Sequence, residues 1–220
     1  MRHPGPLCTL LAGVVLAGGI GIVNVATGTG AEPVAGTASA VGATTTAPPA
    51  TTPEPPRPEV PARADYAGRV AGGGASIAVS ARDGHAIAYV CDGKKVEAWL
   101  QGVTVGGALD LRGAPNASLT GSFDITSATG TVMAAGRTYR FTVPAAKKPA
   151  GLYRATPTVR GKAAKAGWIV QADGSQVGIL TADGDSTTAP ALDQATGTAI
   201  VDGIPVPAEA ISGLAGTGDF

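Results

Sequence analysis

Gly167-Trp168-Ile169-Val170-Gln171-Ala172-Asp173-Gly174-Ser175-Gln176-Val177-Gly178-Ile179-Leu180 places two short apolar runs on either side of an Asp-Gly pair, and the pattern reads as a β-hairpin. A two-residue turn of the mirrored type needs positive φ at its central residues, which Asp tolerates and Gly occupies without strain. That turn predicts the pairs Ala172–Ser175, Val170–Val177 and Trp168–Ile179. Side chains alternate faces along a strand, so Trp168, Val170, Val177 and Ile179 are expected on one buried side.

Upstream of this hairpin, from Asp65 onward, short alternating runs recur between Asp-Gly, Gly and Pro-Asn signals, and no segment has the period of a good helix. The expected fold is all-β: an antiparallel meander of eleven strands over residues 65–181. Closure would remove exposed edges, so a small β-barrel is favoured, with a two-sheet β-sandwich as the alternative. One of the eleven runs from Leu152 to Val159 and another from Lys95 to Gln101. The Asp83-Gly84 and Asp92-Gly93 turns predict that Ile87, Tyr89 and Cys91 share a core face with Val96, Ala98 and Leu100. Leu109, Leu111, Tyr139, Phe141 and Val143 are expected in the core by the same alternation.

Residues 1–27 carry an uncharged stretch, Leu7 to Thr27, long enough to cross a bilayer as a helix. It reads as a signal-anchor or a signal peptide, and an uncleaved N-terminal hydrophobic helix is favoured because no clean cleavage site follows. Arg2 is the only basic side chain near either end, which leaves the N-terminus in the cytoplasm and the rest outside. Secretion after cleavage is the alternative. Residues 28–64 form a disordered Pro/Thr/Ala-rich linker whose seven prolines between Pro48 and Pro61 make a semi-rigid spacer. Residues 182–220 form an acidic tail, with a terminal hairpin suggested at 197–211 by Asp202-Gly203.

The zero net charge conceals an asymmetry. Residues 65–181 hold 13 Lys/Arg against 7 Asp/Glu, whereas 182–220 hold 6 Asp/Glu and no base. Two readings stand: a basic patch for an anionic envelope polymer or lipid surface, or a basic domain neutralised by its own tail. Nucleic acid is not expected as a partner, because the bases are scattered singly among strands without an aromatic stacking platform. An envelope protein is the other expected partner, and the oligomeric state is open.

A search for chemistry returns no catalytic residues, no metal site and no cofactor. His85 is the only histidine outside the export segment, and it lies about 20 Å along one strand from Cys91, too far for a Cys-His dyad. Asp183-Gly184-Asp185 begins like a calcium loop but has Thr188 where that loop needs glycine. Asp83, Asp92, Asp173, Asp183 and Asp202 each precede a glycine and read as turn punctuation. One residue breaks the inside/outside rule: Trp99 falls on the face of Lys95, Glu97 and Gln101, opposite small Ala86 and Ala88. Trp99, Lys95, Glu97 and the rim residue His85 are therefore the candidate binding residues, unless the 191–211 tail covers the indole or a bulge turns it inward.

The segments Ala-Tyr-Val-Cys-Asp-Gly-Lys-Lys-Val-Glu-Ala-Trp-Leu (88–100) and Gly-Trp-Ile-Val-Gln-Ala-Asp-Gly (167–174), behind an anchor and a Pro/Thr linker, resemble uncharacterised membrane-anchored or secreted extracytoplasmic β-domain proteins of actinobacteria, over residues 66–211. That resemblance implies an envelope setting and no activity. The expected function is a non-enzymatic binding or structural module of the cell envelope. The alternatives are an envelope-acting hydrolase built from His85 and loop carboxylates, or a carrier of a small apolar ligand inside a barrel lined by Tyr89, Tyr139 and Phe141.

Overall fold

The computed structural model describes residues 59–213. The predicted N-terminal helix and most of the predicted linker lie outside them. Eight strands follow one another as hairpins: β1 (Arg63–Arg69), β2 (Ser76–Arg82), β3 (His85–Cys91), β4 (Glu97–Val105), β5 (Ala108–Gly113), β6 (Ala117–Phe123), β7 (Ser127–Ala134) and β8 (Arg137–Pro144). Every neighbouring pair is antiparallel. The sheet curls until β8 meets β1 through the bridges Tyr66–Ala145 and Val70–Phe141, with Ala71 N donating to Arg140 O at 2.8 Å. A Cβ on Gly68 would stand 2.6 Å from Val143 Cγ1, so the missing side chain is what lets the seam approach closure. The predicted barrel is thus present in nearly closed form. Its interior is occupied by Tyr66, Ile77, Leu100, Leu111, Leu119 and Phe141, among others, as expected for an eight-stranded barrel just wide enough to be filled by side chains.

The remaining strands are not part of the barrel. They are β9 (Gly151–Ala155), β10 (Thr158–Val159), β11 (Lys162–Val170), β12 (Gln176–Ala182), β13 (Asp185–Thr188), β14 (Leu192–Asp193), β15 (Thr198–Val201), β16 (Ile204–Pro207) and β17 (Glu209–Ile211). A second sheet runs β13-β12-β11-β9-β17, with β10 paired to β11, and β14-β15-β16 form a third. The predicted strand 152–159 is interrupted between Ala155 and Thr158, where Thr156-Pro157 intervenes; proline cannot donate to a ladder. The second sheet packs on the outside of the barrel through Leu152, Ile169, Ile179 and Ile211 against Ala67, Ala78, Tyr89 and Cys91. Its far face packs Trp168, Val170 and Tyr153 against Leu192 and Ala199 of the third sheet. Three apolar layers result, so barrel and sandwich packing coexist.

The opening hairpin forms one residue out of its predicted register. Val170 pairs with Gln176, Ile169 with Val177 and Trp168 with Gly178. Asp173 does not adopt positive φ; Gly174 alone does, at 80°. The Asp173 carboxylate instead accepts from Ser175 N at 2.9 Å and Ser175 Oγ at 2.6 Å, while Gly174 N donates to Gln171 O and Gln171 N to Ser175 O. This is a longer loop, and a one-residue slip moves every side chain of one strand to the other face. Trp168 and Val170 therefore face the third sheet, whereas Val177 and Ile179 face the barrel.

Asp92 behaves in the same way. Its Oδ1 accepts from the backbone N–H groups of Lys94, Lys95 and Val96, and these bonds hold its carboxyl below the usual carboxylate range despite partial burial. The pairs become Cys91–Glu97, Val90–Ala98, Tyr89–Trp99 and Ala88–Leu100. Hence Ala98 and Leu100 point into the barrel with Ala88 and Val90, and Ile87, Tyr89 and Cys91 point out of it, which corrects the predicted face. Asp83-Gly84, Asp183-Gly184 and Asp202-Gly203 do make mirrored turns with both residues at positive φ, in two-residue connections.

Burial pushes the Cys91 thiol from 9.0 up to about 12, and burial with help from nearby Asp124 and Asp65 raises the Tyr66 phenol from 10.0 to about 12. Both groups hold their protons more tightly folded than unfolded. Stability is therefore complete below about pH 9 and falls as pH rises towards about 12. Denaturant titrations at about pH 8 and about pH 11 should show the loss, and Cys91→Ala should make it shallower.

Candidate functional site

The outer wall of the barrel at β3 and β4 carries His85, Ile87, Tyr89 and Cys91 beside Val103, Gln101, Trp99 and Glu97, paired in that order. The second sheet covers one half of this surface. Tyr89 and Cys91 are fully buried beneath it, and Trp99, half-buried, stacks on Tyr89 with ring centroids 4.2 Å apart at 33°. A Cβ on Gly167 of β11 would stand 2.6 Å from Trp99 Cζ2 and 2.8 Å from Tyr89 Cζ. The absent side chain lets β11 approach the ring pair. The indole thus meets β11 at Gly167, and Ile211, from the predicted tail, belongs to the apolar cluster it packs against.

Glu97 ties the layers together. Its Oε1 accepts from Tyr89 Oη at 3.0 Å and Trp99 Nε1 at 3.3 Å, and its Oε2 accepts from Thr181 Oγ1 at 3.1 Å on β12. Burial, together with the nearby Cys91 and Glu97, raises the Tyr89 phenol above its ordinary range, so Tyr89 remains a neutral donor to the carboxylate. Lys95 lies in the β3–β4 loop and is exposed. His85 pairs with Val103 at the other end of the hairpin. The structure thus joins Trp99 to Glu97 and places Lys95 and His85 at opposite ends of β3 and β4, so His85 and Glu97 do not assemble as an acid–base pair.

Beyond Gly167 the second sheet and the barrel wall diverge, leaving a cleft of about 530 Å³. Ile87, Trp99, Gln101 and Arg112 line it from the barrel; Arg154, Lys165, Glu209 and Ile211 line it from the second sheet. Arg112 is held by Asp110 at 3.0 Å and Arg154 by Glu209 at 3.3 Å. Three cations and one carboxylate therefore face a space floored by an indole. A smaller depression of about 250 Å³ at His85 and Val103 shares Ile87 and Gln101 with the cleft and continues it along the wall.

Arg112, Arg154, Lys165 and Glu209 were not singled out by sequence because they come from four strands of two sheets. The one local signal was Gly167, a glycine inside a strand, which marks close approach by another group. The acidic tail also finds its place: Asp183 pairs with Lys162, Asp202 with Arg160 at 3.9 Å and Glu209 with Arg154. Part of the basic excess is thus neutralised internally. Among the described residues no three His, Cys, Asp or Glu side chains gather as a metal site. No protein-family model, curated protein or solved structure matches the chain.

Two substitutions test this construction. Gly167→Ala forces a methyl into the Tyr89–Trp99 pair and should destabilise the fold by about 1–3 kcal/mol, with a change in near-ultraviolet circular dichroism. Glu97→Ala leaves the buried Tyr89 hydroxyl without its acceptor and should cost about 1–3 kcal/mol by denaturant titration, whereas Glu97→Gln retains an acceptor and should cost less.

Proposed function

We propose that the protein is a membrane-tethered extracytoplasmic β domain, a non-enzymatic binding module of the cell envelope, and that an anionic envelope polymer is the ligand of its Trp99 cleft. The observation that carries this reading is the convergence of Arg112, Arg154 and Lys165 beside a half-buried indole. Cations from both sheets neutralise a polyanion, and the aromatic ring supplies a stacking surface for a sugar ring. The cleft continues into the depression at His85, which suits a chain better than a compact small molecule. The interior of the barrel is packed with side chains, which supports binding on the outer wall. Around β6 to β8 that wall presents exposed Thr120, Thr129 and Thr142 over an apolar interior, the reverse of a barrel that faces lipid along its strands. The setting rests on the uncharged stretch 7–27 and the Pro-rich segment that follows it.

The test is retention of the purified protein by immobilised polygalacturonate, with neutral dextran as control. Binding to the polyanion alone, weakened by salt, is expected; Lys165→Glu should reduce affinity about tenfold, a change of about 1.4 kcal/mol. Equal retention by dextran, no retention by the polyanion, or full retention of the Lys165→Glu variant would contradict the assignment.

A further inference from the structure

Four of the seven large apolar side chains exposed among the described residues gather at one end of the barrel: Val60 at 40 %, Val103 at 55 %, Val105 at 77 % and Ile125 at 53 %. Val103 and Val105 stand at the end of β4, Ile125 in the β6–β7 turn and Val60 in the segment leading into β1. Thr104 N donates to Gly84 O at 2.8 Å, and Ile125 N to Glu59 O at 3.2 Å. Val60 Cγ2 lies 2.8 Å from where a Cβ on Gly107 would stand. Lys147 and Lys148, both exposed, follow Ala145, whose N–H donates to Thr126 O at 2.8 Å beside Ile125.

This is the end at which the chain enters the described fold. Residues 7–27, which precede it in the chain, are uncharged and predominantly apolar. We infer that this end of the barrel is a lipid-contacting surface, with Val60, Val105 and Ile125 entering the headgroup boundary of the bilayer and Lys147 and Lys148 at its rim. The inference rests on the tethering proposed above. Charges at this end are mixed: Arg63 pairs with Asp83 at 2.7 Å, and Glu59, Arg82 and Asp124 stand nearby. No strong field of one sign selects an acidic or a basic protein, and the contact is carried by apolar side chains from the end of β4, the β6–β7 turn and the segment before β1. Three or four such side chains bind a bilayer weakly when free in solution. A tether raises the effective concentration of the surface to the order of millimolar, so a weak contact is sufficient.

The experiment uses the full chain with Cys8→Ser, reconstituted in vesicles of phosphatidylcholine and phosphatidylglycerol. Cys91 is buried and carries no label. A fluorophore is attached at Val105→Cys, at Ile125→Cys, or at Arg137→Cys on the opposite end of the barrel, and spin-labelled lipid is the quencher. The labels at 105 and 125 are expected to lose more than half of their emission, while the label at 137 keeps nearly all of it. With the label moved to Val60→Cys, the double change Val105→Asp with Ile125→Asp should abolish the quenching. Equal quenching at both ends, quenching that survives the double change, or self-quenching between labels without quencher lipid, the signature of a second copy, would overturn the inference alone. A chain that washes off the vesicles under alkaline carbonate would overturn the tethering, and this inference with it.

Discussion

At Gly167, β11 lies against the Tyr89–Trp99 ring pair with no side chain between them, and the position of the second sheet on the barrel depends on that contact. Ile169 and Ile179 continue the same face and are fully buried. On its other face β11 buries Trp168 and Val170. A strand apolar on both faces has to lie between two layers, which is why the third sheet covers it from outside. Removing water from large side chains such as Trp168, Ile169 and Ile179 supplies about 1.5–3 kcal/mol each at full burial.

Apolar contact is non-directional, so polar bonds set where the second sheet sits. Gln171 Nε2 donates to Ser76 Oγ at 2.9 Å, and Ser80 Oγ donates to Ile211 O at 2.8 Å, both in buried surroundings. Asp65 accepts from Ser212 Oγ and from Gly213 N. A buried polar group left without a partner costs free energy, and among the described residues no buried side-chain nitrogen or oxygen is left without one. A shifted docking would break several of these bonds together. The cleft is a consequence of the same geometry: the sheets are clamped at Tyr89, Glu97 and Thr181 and diverge past Gly167.

The all-β class and the barrel strands were legible because alternation and turn residues are local signals. Asp83-Gly84, Asp183-Gly184 and Asp202-Gly203 read as turn signals and are turns, of the mirrored kind. Asp92 and Asp173 do not form that kind, for one physical reason: each carboxylate accepts backbone N–H groups from the residues just ahead, a conformation that competes with positive φ at Asp. For Asp173 the following Ser175 was the available clue, since both its N–H and its hydroxyl point back to the carboxylate. Without the slip at Asp92, Trp99 would stand opposite Ala86 and Ala88; with it, Trp99 pairs with Tyr89. Trp99 and Glu97 could be marked from sequence because a large aromatic and an acid sat on one strand face. The cations of the cleft could not, because Arg112, Arg154 and Lys165 meet only through tertiary packing.

The docking of β11 on the barrel wall is tested most directly by nuclear Overhauser contacts of the Trp99 ring in the folded protein. The structure requires contacts from the Trp99 ring proton on Cζ2 to the Gly167 Hα protons, and from the indole ring to Tyr89. A Trp99 ring that contacts Ala86 and Ala88, or residues 191–211, and shows nothing to Gly167 would contradict the arrangement of the second sheet and the cleft that depends on it.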